Sequence, residues 1–517
     1  MSNSENNKRI AKNTILLYFR MFLTMGVSLY TSRIVLNTLG VEDFGIYNVV
    51  GGVVTMFSFL NHSMALATQR FLSFELGKKN FEQLKKVFSM SVNIHAIIAV
   101  ASFILAETIG LWFLNTKLNI PAERMSAANW VYQFSIFSFM ITVMRVPYNA
   151  TIIAHERMSV YAWVSIVEVI LKLIIVFALV WLGFDKLKLY AVLIFSVSAL
   201  VWFLYKIYCK RNFTETNYQF LWEKSLYKTL INYAGWNLFG NLAVVAFNQG
   251  INIMLNIFFG PAINAARGIA YQVNGAVSSF FHNFQMSMNP QIVKSYAADD
   301  HQYMQQLIFR GSKYSFFLLY FLSLPILLQT ETILKWWLKL VPEYTVLFCQ
   351  LILADALINC ISGTLNTAVH ATGKIKKYQA VVGGILLCNV PLSYIFLKLG
   401  YPPQVTLLIT ISLSVTAFFA RLSIIIRLLN FSASDFLRQV VLKVLMVTAL
   451  SCIIPLAVLL FVTEEGLIRF LIVCSLSFFS TIMMVYSIGL NNQERKFVNI
   501  KVSQFITRII SFNNCII

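Results

Sequence analysis

Long apolar stretches separated by short polar segments run through almost the whole chain. Each stretch is about as long as the 20 residues that an α-helix needs to cross a bilayer. The pattern therefore predicts an all-α integral membrane protein with about fourteen transmembrane helices. We place these spans at 10–36, 44–71, 87–112, 130–154, 161–183, 189–208, 230–259, 268–292, 314–334, 346–371, 380–397, 405–429, 442–461 and 467–488.

The pattern of the first six spans begins again near residue 230, which indicates an internal repeat. Glycine and apolar positions in 45–57 match those in 268–280 without gaps. We therefore expect two pseudo-symmetric six-helix lobes. The predicted divisions are an N-lobe at 1–209 (helices 1–6), a cytoplasmic linker at 210–229, a C-lobe at 230–429 (helices 7–12), helices 13 and 14 within 430–488, and an amphipathic cytoplasmic tail at 489–517.

Composition agrees with a membrane location. Hydrophobic residues make up 58% of the 517 positions and charged residues only 12%, which is too apolar for one soluble core. The net charge is +20, and most basic residues fall in segments on the same side as the N-terminus. The positive-inside rule then places both termini in the cytoplasm. Because the basic residues are spread over many short segments, we expect the lipid bilayer as their partner and no nucleic acid.

Polar residues recur along four predicted helices at spacings that return to one helical face. Hydrogen bonding between helices explains any single one of them. Four such stripes at equivalent places in two repeats favour a water-filled cavity lined by helices 1, 2, 7 and 8. The stripes are Asn13, Arg20, Thr24 and Thr31; Asn48, Thr55, His62 and Gln69; Asn237, Asn241, Asn248 and Asn252; and Arg267, Asn274, Ser278, Gln285 and Asn289.

Amide side chains dominate the predicted lining. A carboxamide both donates and accepts hydrogen bonds, which suits the hydroxyl groups of a sugar. The candidate glycan-lining residues are Asn48, Asn237, Asn241, Asn248, Asn252, Asn274, Gln285 and Asn289.

Arginines within or beside the spans give the predicted cavity a positive sign. The planar guanidinium binds phosphate through two parallel hydrogen bonds. The candidate diphosphate-binding residues are Arg20, Arg33, Arg70, Arg145 and Arg267. Glu168 and Lys172, four residues apart on helix 5, are expected to neutralise each other.

Asp355 lies near the middle of predicted helix 10, with Asn359 one turn later. An ionisable group at this depth marks a functional site or has a partner on another helix. Two interpretations stay open: a cation or proton site, and the partner of an arginine. The histidines and cysteines lack metal-ligand spacing, and no catalytic constellation is visible, so we expect neither a metal, nor a cofactor, nor an enzyme.

Three segments resemble a known family. Residues 32–47 read SRIVLNTLGVEDFGIY, residues 67–71 read ATQRF and residues 77–79 read GKK. They are similar to the first hairpin, and the sequence after it, of bacterial polysaccharide flippases. These are the O-antigen and capsule-type transporters of the multidrug, oligosaccharidyl-lipid and polysaccharide exporter (MOP) superfamily, and the similarity in pattern covers essentially the whole chain.

The resemblance implies that the two lobes enclose a V-shaped central cavity that opens alternately to each side. It also implies the substrate, an undecaprenyl-diphosphate-linked oligosaccharide moved from the cytoplasmic to the outer leaflet of the bacterial inner membrane. The product would serve capsule or O-antigen (lipopolysaccharide) synthesis, with a polysaccharide polymerase and other assembly proteins as partners.

Other functions are compatible with the same pattern. A cation-coupled multidrug exporter of the same superfamily would share the fold and could use Asp355. A membrane polysaccharide polymerase or glycosyltransferase needs an ordered extramembrane loop, for which the predicted outer connections are short. A scaffolding protein would use its buried arginines for stability alone. Coupling to the membrane potential, Na+ or H+ and the identity of the glycan are left open by the sequence.

Overall fold

The structure is a computed structural model, and it describes residues 3–55, 58–117, 120–181, 184–338, 341–429, 431–461, 466–496, 498–500 and 503. Nearly all of these residues are helical, and none of them forms a strand. This confirms the predicted all-α class. Helices are expected where lipid replaces water, because only an internally hydrogen-bonded backbone avoids unsatisfied polar groups there.

The helices follow one another with short connections. In chain order they are α1 (Asn3–Thr55), α2 (Ser58–Lys78), α3 (Phe81–Leu105), α4 (Leu111–Lys117), α5 (Met125–Ala154), α6 (Met158–Trp181), α7 (Lys186–Asn212), α8 (Lys224–Phe259), α9 (Pro261–Ala297), α10 (His301–Leu328), α11 (Thr330–Leu338), α12 (Thr345–Ile361), α13 (Gly363–Thr372), α14 (Lys376–Leu387), α15 (Asn389–Lys398), α16 (Val405–Leu429), α17 (Ala433–Phe436), α18 (Leu442–Phe461) and α19 (Leu467–Met484).

Eleven helical segments of the described residues are long and apolar enough to cross a membrane. They coincide with predicted spans 3–7 and 9–14, so the chain is a multi-pass membrane protein. The count of fourteen is not confirmed. The other three predicted spans are helical in α1, α2 and α9, but their polar stripes make these helices less apolar than the rest.

The first predicted hairpin is built around a glycine. The backbone of α1 leaves helical geometry at Gly40, with φ 82° and ψ 167°, so Asn3–Thr55 consists of two helices joined at this residue. A positive φ of this size strains any residue with a Cβ atom, and glycine avoids that strain. The break falls between predicted spans 1 and 2.

One compact unit comprises 1–248, 283–307 and 366–387. Within it α5 packs against α2, α3 and α7, and α1 packs against α6. Tyr132 is fully buried in this core, and its hydroxyl donates to the carbonyl of Ala106 at 2.7 Å. A Cβ atom on Gly110 would lie 2.0 Å from that hydroxyl oxygen, so the packing requires glycine here.

The other compact unit comprises 249–282, 308–365 and 388–517. Here α12 packs against α16 and α18 against α19. The core surrounds Tyr320, whose hydroxyl lies 3.0 Å from Ser451 Oγ. The predicted lobe boundaries at 209, 229 and 429 stay a prediction.

The predicted linker packs on its own unit. Asn93 Nδ2 donates to the carbonyl of Leu221 at 2.8 Å, and the hydroxyl of Tyr218 donates to Asn93 Oδ1 at 2.7 Å. The linker is thus fixed against α3. Most of the predicted amphipathic tail, including 504–517, lies outside the described residues.

Large apolar side chains remain exposed on the described helices. Ile109 is 63% exposed, Leu460 78% and Phe461 85%. Apolar surface of this kind on long helices is what a protein presents to lipid.

Candidate functional site

Arg20 is held by neutral groups inside the first unit. Its Nη2 donates to Asn283 Oδ1 at 3.2 Å, and its guanidinium lies 4.6 Å from the ring centroid of Tyr161. The described contacts of Arg20 include this amide and this ring but no carboxylate. Its Nε is buried and has no hydrogen-bond partner among the described residues. Arg20 therefore keeps its positive charge and an unused donor.

Arg267 has the same kind of surroundings inside the second unit. Its Nη1 donates to Asn252 Oδ1, and its Nη2 donates to the hydroxyl of Tyr271 at 3.3 Å. The guanidinium lies 4.6 Å from the Tyr271 ring centroid, and the residue is only 3% exposed. Two predicted site residues, Arg267 and Asn252, are thus brought together. Each unit contains one arginine that combines an asparagine amide with a tyrosine ring.

The Arg70 side chain forms hydrogen bonds with the C-terminal end of a helix. Its Nε donates to the carbonyl of His370 at 3.1 Å and its Nη2 to the carbonyl of Ala371 at 2.7 Å. These are carbonyls of the last turn of α13, which have no partner within a helix. The chain turns at Gly373 with φ +74°, where a Cβ atom would lie 2.9 Å from Arg70 Nη2. Arg70 therefore stabilises the C-terminal end of α13.

A small cavity of about 140 Å³, with both polar and apolar side chains in its wall, lies beside Arg70. The hydroxyl of Tyr233 contacts His370 Nδ1 at 2.6 Å at its wall. Asn289, one of the predicted glycan-lining residues, lies in the wall of this cavity. Its Oδ1 accepts a hydrogen bond from Thr367 Oγ1 at 2.9 Å. The lining residues are Leu66, Gln69, Arg70, Ser73, Tyr233, Asn289, Pro290, Val293, Asn366, Thr367 and His370.

Arg145 is partly neutralised. Its Nη1 lies 3.2 Å from Glu168 Oε2, while Lys172 Nζ lies 2.8 Å from Glu168 Oε1. The contact confirms the predicted pairing of Glu168 with Lys172, and it adds a second cation to the same carboxylate. Of the remaining predicted residues, the side chains of Arg33 and Asn48 lie outside the described residues.

The asparagines of α8 have different surroundings. Asn237 is 2% exposed, and its Oδ1 accepts from Gln379 Nε2 at 3.2 Å. Asn241 Nδ2 donates to Ser63 Oγ at 3.0 Å, which links α8 to α2. Asn248 Nδ2 donates to its own helix, at the carbonyl of Val244. Asn237 and Asn241 thus tie helices together.

The remaining predicted amides lie on α9. Asn274 Oδ1 accepts from Ser278 Oγ at 2.9 Å, and Gln285 is 7% exposed. Asn283, which the stripe of this helix does not include, is the residue that contacts Arg20. A polar residue inside a predicted span could have indicated a functional position. Asn283 was missed because it does not lie on the same helical face as the stripe.

Asp355 lies on α12, an apolar helix of the second unit. Asn359 Nδ2 donates to the Asp355 carbonyl at 3.0 Å and is 3.2 Å from Ser414 Oγ on α16. The charge of Arg421, also on α16, acts on the Asp355 carboxyl. Among the described residues, no group of three or more His, Cys, Asp and Glu side chains could hold a metal ion. Both interpretations of Asp355 stay predictions.

Two charged clusters were not predicted from the sequence. Arg124 contacts both Asp43 and Asp185. Glu156 is buried in the turn between α5 and α6 and contacts Lys294. Their partners lie far apart in sequence, so no periodic pattern could identify them.

Comparison with known proteins places the chain in a family. The profile of the polysaccharide biosynthesis protein family matches residues 10–295, more than half of the chain. No curated protein matches the chain.

Solved structures share the fold at low sequence identity. An outward-facing multidrug resistance MATE family transporter of the MOP superfamily has a TM-score of 0.68 at 13% identity, covering 80% of this chain and 94% of that chain. A MOP superfamily transporter from Pyrococcus furiosus has a TM-score of 0.67 at 12% identity, covering 83% and 97%. The chain therefore belongs to the polysaccharide biosynthesis protein family, and its helices adopt the fold of MOP-superfamily transporters.

Proposed function

We propose that this protein is a flippase for undecaprenyl-diphosphate-linked oligosaccharide repeat units. It moves them from the cytoplasmic to the outer leaflet of the bacterial inner membrane by alternating access, for capsule or O-antigen synthesis. Both termini are cytoplasmic in this proposal. The diphosphate contacts arginine, the glycan contacts amide side chains, and the prenyl chain stays in lipid.

The arrangement at Arg20 is the observation that carries the proposal. A cation within a membrane protein costs several kcal/mol unless it has a task or a partner. Asn283 and Tyr161 orient the Arg20 guanidinium without cancelling its charge. Such a group can bind an anion that arrives and leaves. Arg267, which contacts Asn252 and Tyr271, is a second candidate ligand for the diphosphate.

The other candidate arginines contribute less to this proposal. Arg145 shares a carboxylate with Lys172, and Arg70 donates to backbone carbonyls. Arg70 supports the α13 end that borders the amide-lined cavity. Family membership supports the polysaccharide context of the substrate.

The membrane potential supplies a driving force for the proposed direction. A diphosphate of about two negative charges leaving a negative cytoplasm gains roughly 4 to 5 kcal/mol per 100 mV if it crosses the whole field. Coupling to Na+ or H+ is therefore not required by this mechanism.

Translocation of a fluorescent undecaprenyl-diphosphate oligosaccharide in proteoliposomes tests the function. We expect the wild type to translocate the lipid. The translocation rate should fall about tenfold or more in Arg20→Gln, because a hydrogen bond to a charged group contributes roughly 1.5 to 3 kcal/mol. Arg20→Lys keeps the charge but loses the fork, so its activity should be intermediate. Arg211→Gln removes an exposed arginine and is the matched control.

A drug exporter is the second candidate, because Asp355 Oδ1 is buried without a hydrogen-bond partner among the described residues, and such a carboxyl could bind a cation. That function predicts efflux of cationic dyes that is lost in Asp355→Asn. Dye efflux without lipid translocation by the wild type would overturn the flippase proposal.

A further inference from the structure

Glu156 ends α5 in an unusual way. The backbone N–H of Arg157 donates to Ile152 O at 3.0 Å and that of Glu156 to Ile153 O at 2.8 Å. This pair of hydrogen bonds is a Schellman motif, which places the residue after the helix in left-handed geometry. Glu156 has φ 59°, at a position where glycine is usual. Glu156 thus has a left-handed backbone conformation that favours glycine over residues with a side chain.

Two cations and one amide converge on the Glu156 carboxylate, whose side chain is fully buried. Lys294 Nζ lies 2.6 Å from Oε1, Arg9 Nε lies 2.8 Å from Oε2, and Gln291 Nε2 donates to Oε2 at 2.6 Å. We call Arg9, Gln291 and Lys294 the Glu156 cradle. All of them belong to the first compact unit.

The cradle brings two cations to one carboxylate. The side chains of Arg9 and Lys294 are 31% and 20% exposed, so solvent reaches them. Burial, acting against the Glu156 charge, lowers the pKa of Lys294. Phosphate oxygens, like those of a carboxylate, can accept hydrogen bonds from both cations.

Close helix packing fixes the cradle in place. A Cβ atom on Gly77 of α2 would lie 2.6 Å from the carbonyl oxygen of Lys294 on α9. Asn13 Nδ2 donates to the backbone carbonyl of Glu156 at 3.1 Å, which fixes the turn relative to α1. The donors are therefore positioned by the surrounding helices and do not depend on the Glu156 side chain alone.

We propose that the Glu156 cradle is an anion-binding site for the diphosphate group of the lipid substrate, and that Glu156 occupies it in the present conformation. Carboxylate and phosphate oxygens accept the same charge-assisted hydrogen bonds. The cradle lies at the ends of predicted spans 1 and 8 on the predicted cytoplasmic side, where the substrate would first arrive. This inference rests on the proposed flippase function. Arrival of a diphosphate displaces Glu156 and separates the α5–α6 turn from α1 and α9.

Equilibrium binding of radiolabelled farnesyl diphosphate to the full chain in lipid nanodiscs tests the cradle. Glu156→Gln removes the competing charge, and we expect roughly tenfold tighter binding than for the wild type. Adding Lys294→Gln to that variant should return the affinity to the wild-type level or below. Farnesol, which has no phosphate, should bind all variants equally.

Two further variants separate this effect from folding and from general charge. Glu156→Gly suits the left-handed backbone, so it should fold and also bind more tightly. Asp299→Asn removes one negative charge at a side chain that is 92% exposed, and its binding should equal that of the wild type. Unchanged affinity in both folded Glu156 variants would overturn the cradle.

The translocation assay keeps the two proposals distinguishable. If the wild type translocates the lipid but the Glu156 variants bind the diphosphate with unchanged affinity, the cradle proposal is wrong and the flippase proposal stands. If those variants bind more tightly but the wild type translocates no lipid, the flippase proposal is wrong and the cradle is an anion-binding site of another function.

Discussion

Arg124 holds Asp43 through two parallel hydrogen bonds, one from Nε to Oδ1 at 2.8 Å and one from Nη2 to Oδ2. Its Nη1 also donates to Asp185 Oδ2 at 3.0 Å. These residues belong to three connections that the sequence predicts on the outer side. Asp43 lies in the segment that resembles the flippase hairpin, so the structure gives part of that segment a structural task.

Replacing Arg124 by alanine should destabilise the protein. The change leaves two carboxylates without their common partner, which we expect to cost on the order of 1 to 2 kcal/mol. Thermal unfolding in detergent measures the effect, with the exposed Arg211→Ala as the control. Equal melting temperatures for the two variants would contradict the role of Arg124.

Asp185 should give stability a dependence on acid pH. Burial alone would raise the pKa of Asp185, but the backbone N–H groups of Lys188 and Leu187 and the guanidinium of Arg124 outweigh it, and the pKa is lowered. A lowered carboxyl pKa contributes stability that is present above the unfolded value, about 3.9, and is lost as pH falls through the folded value.

The check for Asp185 is thermal unfolding of the wild type and Asp185→Asn between pH 7 and pH 3. The wild type should be more stable at pH 7, and the difference should shrink below about pH 4, because the Asp185 carboxylate of the unfolded state takes up a proton there before that of the folded state does. Asp299→Asn, at an exposed carboxylate, should show no comparable difference. A difference independent of pH would show that Asp185 acts through packing.

Gly77 should tolerate no side chain. The Cβ of Gly77→Ala would lie 2.6 Å from Lys294 O and 2.7 Å from Ala297 Cβ. Overpacking of this kind typically costs about 1 to 3 kcal/mol. Gly235→Ala, which meets nothing within 4 Å, should be neutral or stabilising. Similar melting temperatures for the two alanine variants would contradict the close approach of α2 and α9.

Glu168 should matter more than Arg145 for stability. Glu168→Gln leaves the two cations Arg145 and Lys172 facing each other, whereas Arg145→Gln leaves the pair of Glu168 and Lys172 intact. We therefore expect a lower melting temperature for Glu168→Gln than for Arg145→Gln. Translocation should fall less in Arg145→Gln than in Arg20→Gln. The reverse order of translocation rates would make Arg145 the main diphosphate ligand.

Hydrophobic periodicity predicted the helices well because the bilayer imposes length and polarity directly. It also predicted the pair of Glu168 and Lys172, since residues four apart on a helix are neighbours. It could not predict that Arg20 meets Asn283 and Tyr161. Periodicity gives the polar face of a helix, whereas the partner of that face depends on tertiary packing across 263 positions of sequence.

The same limit applies to the charged clusters. Arg124 and Asp43 are 81 positions apart, and both lie near predicted span ends, where a solvated charge is the ordinary expectation. The buried position of Glu156 was equally hidden, because a glutamate in a short turn carries no periodic signal.

The low hydropathy of α1, α2 and α9 has a consequence for biogenesis. A segment enters the bilayer from the translocon according to its own apolarity, and an arginine at the centre of a helix opposes this by roughly 2.5 to 3.5 kcal/mol. Arg20 lies in α1, whereas the first segment of the described residues that is long and apolar enough to cross a membrane is Phe81–Thr116. We expect α1 and α2 to wait at the translocon until this segment emerges and then to insert together with it. The arginine that we propose as a substrate ligand would thus make α1 dependent on a later part of the chain to reach the membrane.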